Sequence, residues 1–235
     1  MLLDGREIRV SADRHNGNVP IGYRQPYAGL EIPINGNRTT GNHAMHKSSS
    51  LTDVSTLRKR ARQHIDDGSV TAGYSADREA VLKLLNASLA TELVCVLRYR
   101  RHHFMARGIH SQSVAQEFLD HSNEEQGHAD QIAERIVQLG GAPDFAPEGL
   151  AGRSHAEYVE GDTLVSMIKE DLVAERIAID SYRDIIQYLG DQDPTTRRMM
   201  EAILAMEEEH ADELADLLVA FPEAAETTRN SAKSK

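Results

Sequence analysis

The sequence has 235 residues, of which 40% are hydrophobic and 27% are charged, and its formal net charge is −11. This composition is typical of a globular protein with one sizeable domain and tails. No apolar run approaches the roughly 20 residues that span a bilayer, and the charged N-terminus lacks the pattern of a secretory signal. We therefore expect a cytoplasmic protein without a membrane partner. The single cysteine, Cys95, excludes an internal disulfide and a paired-cysteine metal or redox site.

The N-terminal part of the chain differs in composition from the rest. Residues 1–50 are rich in Gly, Asn, Arg and Pro without sustained periodicity, which predicts a disordered N-terminal extension. Residues 51–75 are interpreted as a short basic helix, near 53–66, and a linker. Residues 1–70 contain 10 Lys and Arg against 7 Asp and Glu, whereas residues 71–235 contain 16 against 30. DNA is therefore a candidate partner only for the basic N-terminal region.

Four long helical segments follow within residues 76–221, each with apolar residues at steps of three and four. They are predicted at 76–107, 111–139, 162–189 and 194–220. The first and third links are short, whereas the second link, from Gly140 to Gly161, is long enough to cross a bundle. The sequence therefore predicts an all-α fold, a four-helix bundle with one long crossover connection, followed by a polar tail at 222–235.

Acidic residues interrupt the apolar faces of these helices. Four glutamates fall on core faces, one on each helix: Glu92, Glu125, Glu175 and Glu207. Burying an unpaired carboxylate costs several kcal/mol, and four together repel one another, so a positive group must compensate. His128 and His210 each follow one of these glutamates by three residues, which places the two side chains of each pair on one helix face.

The complete pattern is a lone Glu on the first and third helices and Glu-x-x-His on the second and fourth. This is the ligand arrangement of di-iron and di-manganese carboxylate sites in helical bundles. The lone Glu precedes the motif Glu by 33 residues in one half of the bundle and by 32 in the other, so the halves look like a repeated helical hairpin. We therefore predict two iron ions per chain, with manganese as the alternative. The predicted ligands are Glu92, Glu125, His128, Glu175, Glu207 and His210.

Around these residues the sequence resembles bacterioferritins and related bacterial ferritin-like di-iron proteins, over roughly residues 76–221. The resemblance is carried by the stretches LLNASLATELVCVLRY, HSNEEQGHADQIAERIVQLGGAPDF, IKEDLVAERIAIDSYRDII and ILAMEEEHADELADLL. It implies a ferritin-like bundle with a ferroxidase centre. The implied roles are two bridging carboxylates, Glu125 and Glu207, two terminal carboxylates, Glu92 and Glu175, and one imidazole per ion, from His128 and His210. Tyr99 matches a tyrosine near the site in bacterioferritins.

The sequence also departs from the bacterioferritin pattern. Bacterioferritins place a haem-ligating Met directly after the Glu of the second helix, where this chain has Gln126, which disfavours haem. No clear fifth helix follows Pro222, which favours a homo-oligomeric shell of twelve subunits over one of twenty-four. The connection between the second and third helices is longer than in bacterioferritins, and residues 1–70 have no counterpart there.

The resemblance implies a ferroxidase coupled to iron storage or detoxification, in which O₂ or H₂O₂ oxidises Fe(II). Two alternatives stay open. The same ligands could serve a di-metal oxygenase, oxidase, peroxidase or catalase without mineral storage. The chain could also form a DNA-protecting mini-ferritin shell, in which case deleting residues 1–70 would remove DNA binding at physiological salt.

Other polar residues near the motifs receive ordinary interpretations. His121, one turn before Glu125, is interpreted as a polar residue on a bundle face rather than a partner of the site. Asp171, one turn before Glu175, is interpreted either as a residue that orients a ligating histidine or as a polar residue without a role in the site. Tyr182 is interpreted as core packing, and His102 as a surface or interface group.

Overall fold

In a computed structural model of the protein, residues 51–108 and 111–221 are described. They contain six α-helices: α1 Val54–Arg60, α2 Arg78–Met105, α3 Ser111–Gln138, α4 Leu150–Arg153, α5 Leu164–Leu189 and α6 Pro194–Ala220. The four long helices form a bundle in which α2 packs most extensively with α3, and α5 with α6. The predicted all-α bundle is confirmed. The predicted disordered extension at 1–50 and the polar tail at 222–235 lie outside the described residues.

The long helices begin and end within two residues of the predicted positions, because polar caps set their ends. Asp77 caps α2 by accepting a hydrogen bond from the Ala80 amide, with 3.1 Å between oxygen and nitrogen. At α5 the cap is Thr163, whose hydroxyl accepts from the Ser166 amide at 3.1 Å in a capping box. Asp193 caps α6 ahead of Pro194, whose missing N–H costs nothing at the first helical position.

The predicted single helix at 53–66 is wrong in its extent. Helix α1 ends at Arg60, and a 3₁₀ turn at Ile65–Asp67 follows it. Between them His64 has a left-handed backbone, with φ of 51°. Because α1 buries none of its residues, no packed apolar face holds a longer helix together.

The direction of the helices explains the crossover. Tyr99 of α2 contacts Glu175 of α5, while Glu92, one heptad earlier, contacts Tyr182, one heptad later, so α2 and α5 are antiparallel. The short link makes α3 antiparallel to α2 as well, so α3 and α5 run in the same direction and their connection must traverse the bundle. The connection contains the short helix α4, which was not predicted and packs against α2.

Helix α2 is more apolar than the sequence analysis expected. It contains an 18-residue window with mean hydropathy of 1.7, which is apolar enough by composition to cross a membrane. Half of that window is buried among the other helices of the bundle. The helix still has no unbroken apolar run of that length, because Glu92 lies inside every 18-residue window of α2, and packing in the bundle core accounts for its apolar residues.

The apolar core consists of two clusters separated along the bundle axis. The first includes Leu85 and Leu89 of α2, Ile132 of α3 and other residues at that end. The second includes Phe118 of α3 and Ile168 of α5. The four core-face glutamates fall between the two clusters along all four helices, so apolar packing clamps the bundle on both sides of a polar layer.

A buried polar network fastens the crossover to the bundle. Asp171 accepts hydrogen bonds from Arg98 Nε and His102 Nδ1, both at 2.8 Å. Arg98 also donates to the Glu157 carbonyl at 2.8 Å, and His102 Nε2 lies 2.9 Å from the Glu160 carbonyl. Asp171 therefore binds the two side chains that contact the crossover, and it does not orient a predicted metal ligand. The interpretation of His102 as a surface or interface group is wrong, since this side chain is fully buried.

The substitution Asp171→Ala should destabilise the fold by about 3–5 kcal/mol, because it leaves the Arg98 charge buried without its carboxylate. Urea-induced unfolding followed by circular dichroism measures this change. Asp180→Ala is the matched control, since Asp180 lies on the same helix with an exposed side chain, and we expect it to change stability by less than about 0.5 kcal/mol. Equal stability of the two variants would contradict a fastening role for the network.

Candidate metal centre

The six predicted ligands meet in one buried layer near the middle of the long helices. All four glutamates and His210 are at most 1% exposed, and His128 is 5% exposed. His128 Nδ1 lies 3.0 Å from Glu207 Oε1, 3.3 Å from Glu125 Oε2 and 3.7 Å from Glu92 Oε2. Helices that are far apart in sequence therefore bring together every residue of the predicted set.

The layer divides into two groups of four possible ligands. In each group, one ligand atom per residue lies within 4.8 Å of the others. The groups are Glu92, Glu125, His128 and Glu207, and Glu125, Glu175, Glu207 and His210. Glu125 and Glu207 belong to both, and each points one oxygen toward His128 and the other toward His210 Nδ1, at 3.6 Å on the His210 side. The arrangement can hold two cations with two shared carboxylates.

Whether a metal fits this layer can be judged from its buried polar atoms that lack a hydrogen-bond partner. Five such atoms lie in this layer: Glu125 Oε1, Glu175 Oε2, Glu207 Oε1, Glu207 Oε2 and His210 Nδ1. An orphaned buried polar atom costs about 1–3 kcal/mol, so folded proteins rarely tolerate a cluster of them. Carboxylate oxygens and imidazole nitrogens are also the donor atoms that iron and manganese accept. The residues present therefore fit a pair of divalent cations.

Two tyrosines orient the lone carboxylates across the bundle. Tyr99 donates its hydroxyl proton to Glu175 Oε1, and Tyr182 donates to Glu92 Oε1. Each bond occupies one oxygen of its glutamate and leaves the other facing the centre of the layer. The interpretation of Tyr182 as core packing is therefore incomplete. A signal was present in the sequence, because both tyrosines follow a lone glutamate by seven residues.

A neighbouring carboxylate sets the proton position on His210. Its Nε2 lies 2.8 Å from Glu124 Oε2 and donates a proton to it, so Nδ1 faces the layer and can bind a metal when it gives up its own proton. A carboxylate in this position keeps an imidazole in the tautomer that binds metal. His121 stacks on His210 with 4.1 Å between ring centroids, so the interpretation of His121 as an ordinary face residue is wrong.

Like charges and burial shift the acidity of the layer. Burial, followed by repulsion from Glu125, raises the pKa of Glu92 to about 8, and burial also raises the pKa of Glu175 well above its usual range. Burial opposes the charged forms of Glu125 and Glu207 as well, but the close histidines and neighbouring carboxyls outweigh it and lower both pKa values. Without a metal, the layer therefore retains protons to offset its negative charge.

Comparisons with known proteins agree with this fold. Residues 82–224 match the ferritin-like domain family. The chain is 34% identical over 179 residues to a nutrient stress-induced DNA-binding protein of Nostoc sp., covering 72% of this chain and 92% of the relative. It is 29% identical over 141 residues to bacterioferritin of Desulfovibrio desulfuricans, covering 59% and 75%. A dodecameric thioferritin, the bacterioferritin-related protein of Bacteroides fragilis, aligns with a TM-score of 0.60 and 31% identity, over 62% of this chain and 88% of that one.

The chain therefore belongs to the ferritin-like family. The resemblance found in the sequence is confirmed at this level. Both bacterioferritins and stress-induced DNA-binding proteins occur among its relatives, so the family assignment covers iron handling in general rather than one activity.

Metal removal should make the stability of the protein depend on pH. The pKa of Glu92 rises from 4.5 to about 8, and that of His210 from 6.5 to about 10, because the close carboxylates of Glu125 and Glu207 outweigh the effect of burial on His210. A group with a raised folded-state pKa stabilises the fold below its unfolded pKa, and this stabilisation is lost as pH rises through the folded value. Apo protein should therefore lose stability from about pH 4.5, where Glu92 begins to contribute, to about pH 10, where His210 has lost its proton, whereas bound cations replace these protons.

Melting temperatures of chelator-treated and Mn(II)-loaded protein across this range measure the effect. We expect the gap between the two forms to widen as pH rises. Parallel curves would show that the carboxyl protons and the metal do not compete for one layer.

Proposed function

We propose that this chain is a ferroxidase coupled to iron storage or detoxification, and that Fe(II) ions are its substrate at the buried layer. The observation that supports the proposal best is the convergence of five unpartnered polar atoms on two ligand groups that share Glu125 and Glu207. Membership of the ferritin-like family supports it independently.

The proposed reaction balances with two iron ions per turnover. Two Fe(II) ions supply two electrons, which reduce O₂ with two protons to H₂O₂, or H₂O₂ with two protons to two water molecules. Glu92 and Glu175 would each present one oxygen, because Tyr182 and Tyr99 occupy the other. The shared carboxylates Glu125 and Glu207 would hold the ions close enough for both electrons to reach one oxidant.

Charge balance suits this chemistry. Four carboxylates neutralise two divalent cations, so loading replaces the protons that the apo layer retains. Oxidation then adds positive charge, which favours release of protons from bound water or movement of ferric ions out of the layer. The half-exposed Glu124, in contact with His210, is a carboxylate on the outer side of the layer that can take part in such exchange.

Two alternatives keep specific support. The same ligand set suits a di-metal oxidase, peroxidase or catalase that does not store mineral, with manganese as an alternative metal. The Nostoc relative is named for DNA binding, which favours a DNA-protecting shell. In this chain the acidic bundle is poorly suited to that contact, so residues 1–70 would have to provide it.

The double substitution Glu125→Gln with Glu207→Gln should abolish tight binding of paired metals and slow Fe(II) oxidation by at least about a hundredfold. Loss of a residue that only supports a metal ligand typically lowers metal affinity or activity 10–100-fold, and these two residues are proposed as direct ligands to both ions. Anaerobic metal titration and stopped-flow oxidation measure the two effects.

The matched control is Glu134→Gln with Glu209→Gln, which removes the same charge from the exposed faces of the same helices. We expect the control to bind and oxidise iron like the parent protein. Parent-like oxidation by a folded Glu125→Gln, Glu207→Gln variant would overturn the proposed centre.

We further propose that the chain assembles into a closed homo-oligomeric shell, with twelve subunits favoured over twenty-four. Storage requires enclosure, since ferric mineral precipitates unless it is surrounded. The Bacteroides fragilis relative, at 31% identity, is described as dodecameric, which supports the smaller number. Light scattering coupled to size exclusion should give a mass near twelve times 26.0 kDa. A monomer or dimer at micromolar concentration would exclude storage and favour a di-metal oxidase.

A further inference from the structure

Helix α1 carries an apolar face that nothing in the bundle covers. Val54 is 60% exposed and Leu57 is 50% exposed, and Leu51, just before the helix, is 97% exposed. Val54, Leu57 and the C-cap Ala61 follow one another at steps of three and four, so they lie on one side of the helix. An isolated helix shorter than about 12 residues is marginal in water, and α1 has seven residues. A partner that covered this face would therefore stabilise the helix.

Basic residues border the apolar face of α1. Residues 54–65 contain four Lys and Arg and no Asp or Glu. The helical repeat places Arg58 on one side of the face and Arg60 on the other. An apolar face between cations fits a groove that has an apolar floor and acidic walls.

The acidic bundle that carries α1 argues against a nucleic acid or an anionic membrane as this partner. Residues 71–235 contain 30 Asp and Glu against 16 Lys and Arg, so the bundle repels surfaces of the same sign. Phosphate groups of DNA would also neutralise the cations and leave the apolar face exposed. A protein surface with apolar and acidic residues fits α1 better.

The surface of the bundle has such a groove between helices α5 and α6. Its volume is about 480 Å³. Its lining includes three apolar and three acidic residues: Ile179, Ala211, Ala215, Asp180, Glu208 and Asp212. The small side chains of Ala211 and Ala215 allow another helix to approach closely. From Glu208 to Ala215, α6 advances about 10 Å, which is about the length of the seven-residue helix α1.

The groove also contains cations, but acidic charge predominates around it. From α5, Arg183 contacts Glu208 at 2.5 Å and Asp180 at 3.4 Å, so its charge is already paired. Arg176 is a further cation of the lining. Against them, residues 199–220 of α6 contain seven Asp and Glu and no Lys or Arg. The charges of α6 and of α1 are therefore complementary.

We propose that α1 docks in the groove between α5 and α6 of a second copy of this chain. Val54 and Leu57 cover the apolar floor of the groove, and Arg58 and Arg60 face its carboxylates. Each copy gives α1 to one neighbour and accepts α1 from another, and head-to-tail contacts of this kind can close into rings. The docking rests on the proposed homo-oligomer, but it does not depend on iron oxidation, because its residues are separate from the six predicted metal ligands.

The connection after α1 disfavours docking in the groove of the same chain. Ser69 donates to the Gln138 carbonyl at 2.7 Å, at the end of the bundle where α6 begins. Ala211 is eighteen residues beyond Asp193, the cap of α6, or about 27 Å along the helix. Residues 61–68 would have to be almost fully extended to span that distance, whereas they contain a 3₁₀ turn. A second copy has no such restriction.

Disulfide trapping between two differently tagged chains tests the contact directly. Leu57→Cys chains are co-assembled with Ala215→Cys chains and oxidised, and a non-reducing gel should show a product with both tags. The native Cys95 is buried and does not compete. The matched control replaces Ala215→Cys by Tyr188→Cys, at a half-exposed position of α5 outside the groove. We expect the control to give at most about a tenth of the product, because disulfides form only between closely placed cysteines.

The oligomeric state gives an independent measurement in the full-length protein. Val54→Gln with Leu57→Gln should raise the concentration at which half of the chains are assembled by at least about tenfold, because it removes both apolar anchors. The control is Ser55→Gln with Lys59→Gln, which changes exposed residues on the other side of α1 and should assemble like the parent. Light scattering over a concentration series measures assembly, and circular dichroism checks folding. Initial Fe(II) oxidation per chain should be equal in all three proteins.

A product with both tags and weaker assembly of the Val54→Gln, Leu57→Gln variant would support docking between copies. A disulfide within one chain that carries both Leu57→Cys and Ala215→Cys, without the mixed product, would place α1 in its own groove and overturn the proposal. An assembled parent without any cross-link would also overturn it, while the proposed shell would stand. In that case, loss of binding to DNA or to anionic vesicles by the Gln variant would assign α1 to those surfaces. A cross-linked parent that does not oxidise Fe(II) would remove the ferroxidase proposal and leave the docking in place.

Discussion

The burial of four carboxylates in one layer is the constraint on which the rest of the bundle depends. Charged groups of one sign cannot share a low-dielectric interior unless cations or protons offset them. Apolar clusters on both sides of the layer hold the helices together despite this cost, so the fold is formed by packing at its ends and the centre is left available for cations. Burial and repulsion from Glu125 raise the pKa values of Glu92 and Glu175, so protons serve as the substitute in the apo protein.

The polar groups around the layer are arranged so that each ligand has one defined orientation. Tyr99 and Tyr182 each take one oxygen of a glutamate on the facing helix, and Glu124 takes the proton of His210. The contact between a tyrosine and a lone glutamate occurs in both halves of the bundle, whereas the residues around the two histidines differ between the halves. The half that contains α3 is polar toward solvent, whereas its α6 counterpart is apolar. The ligands of the centre are therefore approximately symmetric, whereas the residues beside them are not.

The position of the crossover depends on a second buried charge network, whose residues are separate from the six predicted metal ligands. Arg98 and His102 converge on Asp171 and also hold two carbonyl groups of the crossover. Removing one partner of such a network leaves an uncompensated buried charge, so the contacts of the crossover depend on all three side chains together. At the opposite end of the bundle, Arg135 contacts Asp193, the cap of α6, at 3.0 Å. Buried ion pairs thus fix both ends.

The sequence by itself determined the helices, their order and the ligand candidates, because periodicity and the Glu-x-x-His spacing depend only on local helix geometry. It could not determine contacts between helices, since these depend on helix rotation and on pairs of residues far apart in the chain. For this reason His102 was predicted at the surface, and the bond between Tyr182 and Glu92 was missed. The short helix at 53–66 was predicted too long because a local pattern does not reveal whether a face is buried. Only the tertiary structure placed His121 between Tyr99 and two carboxylates of different helices, because these contacts join residues far apart in the chain.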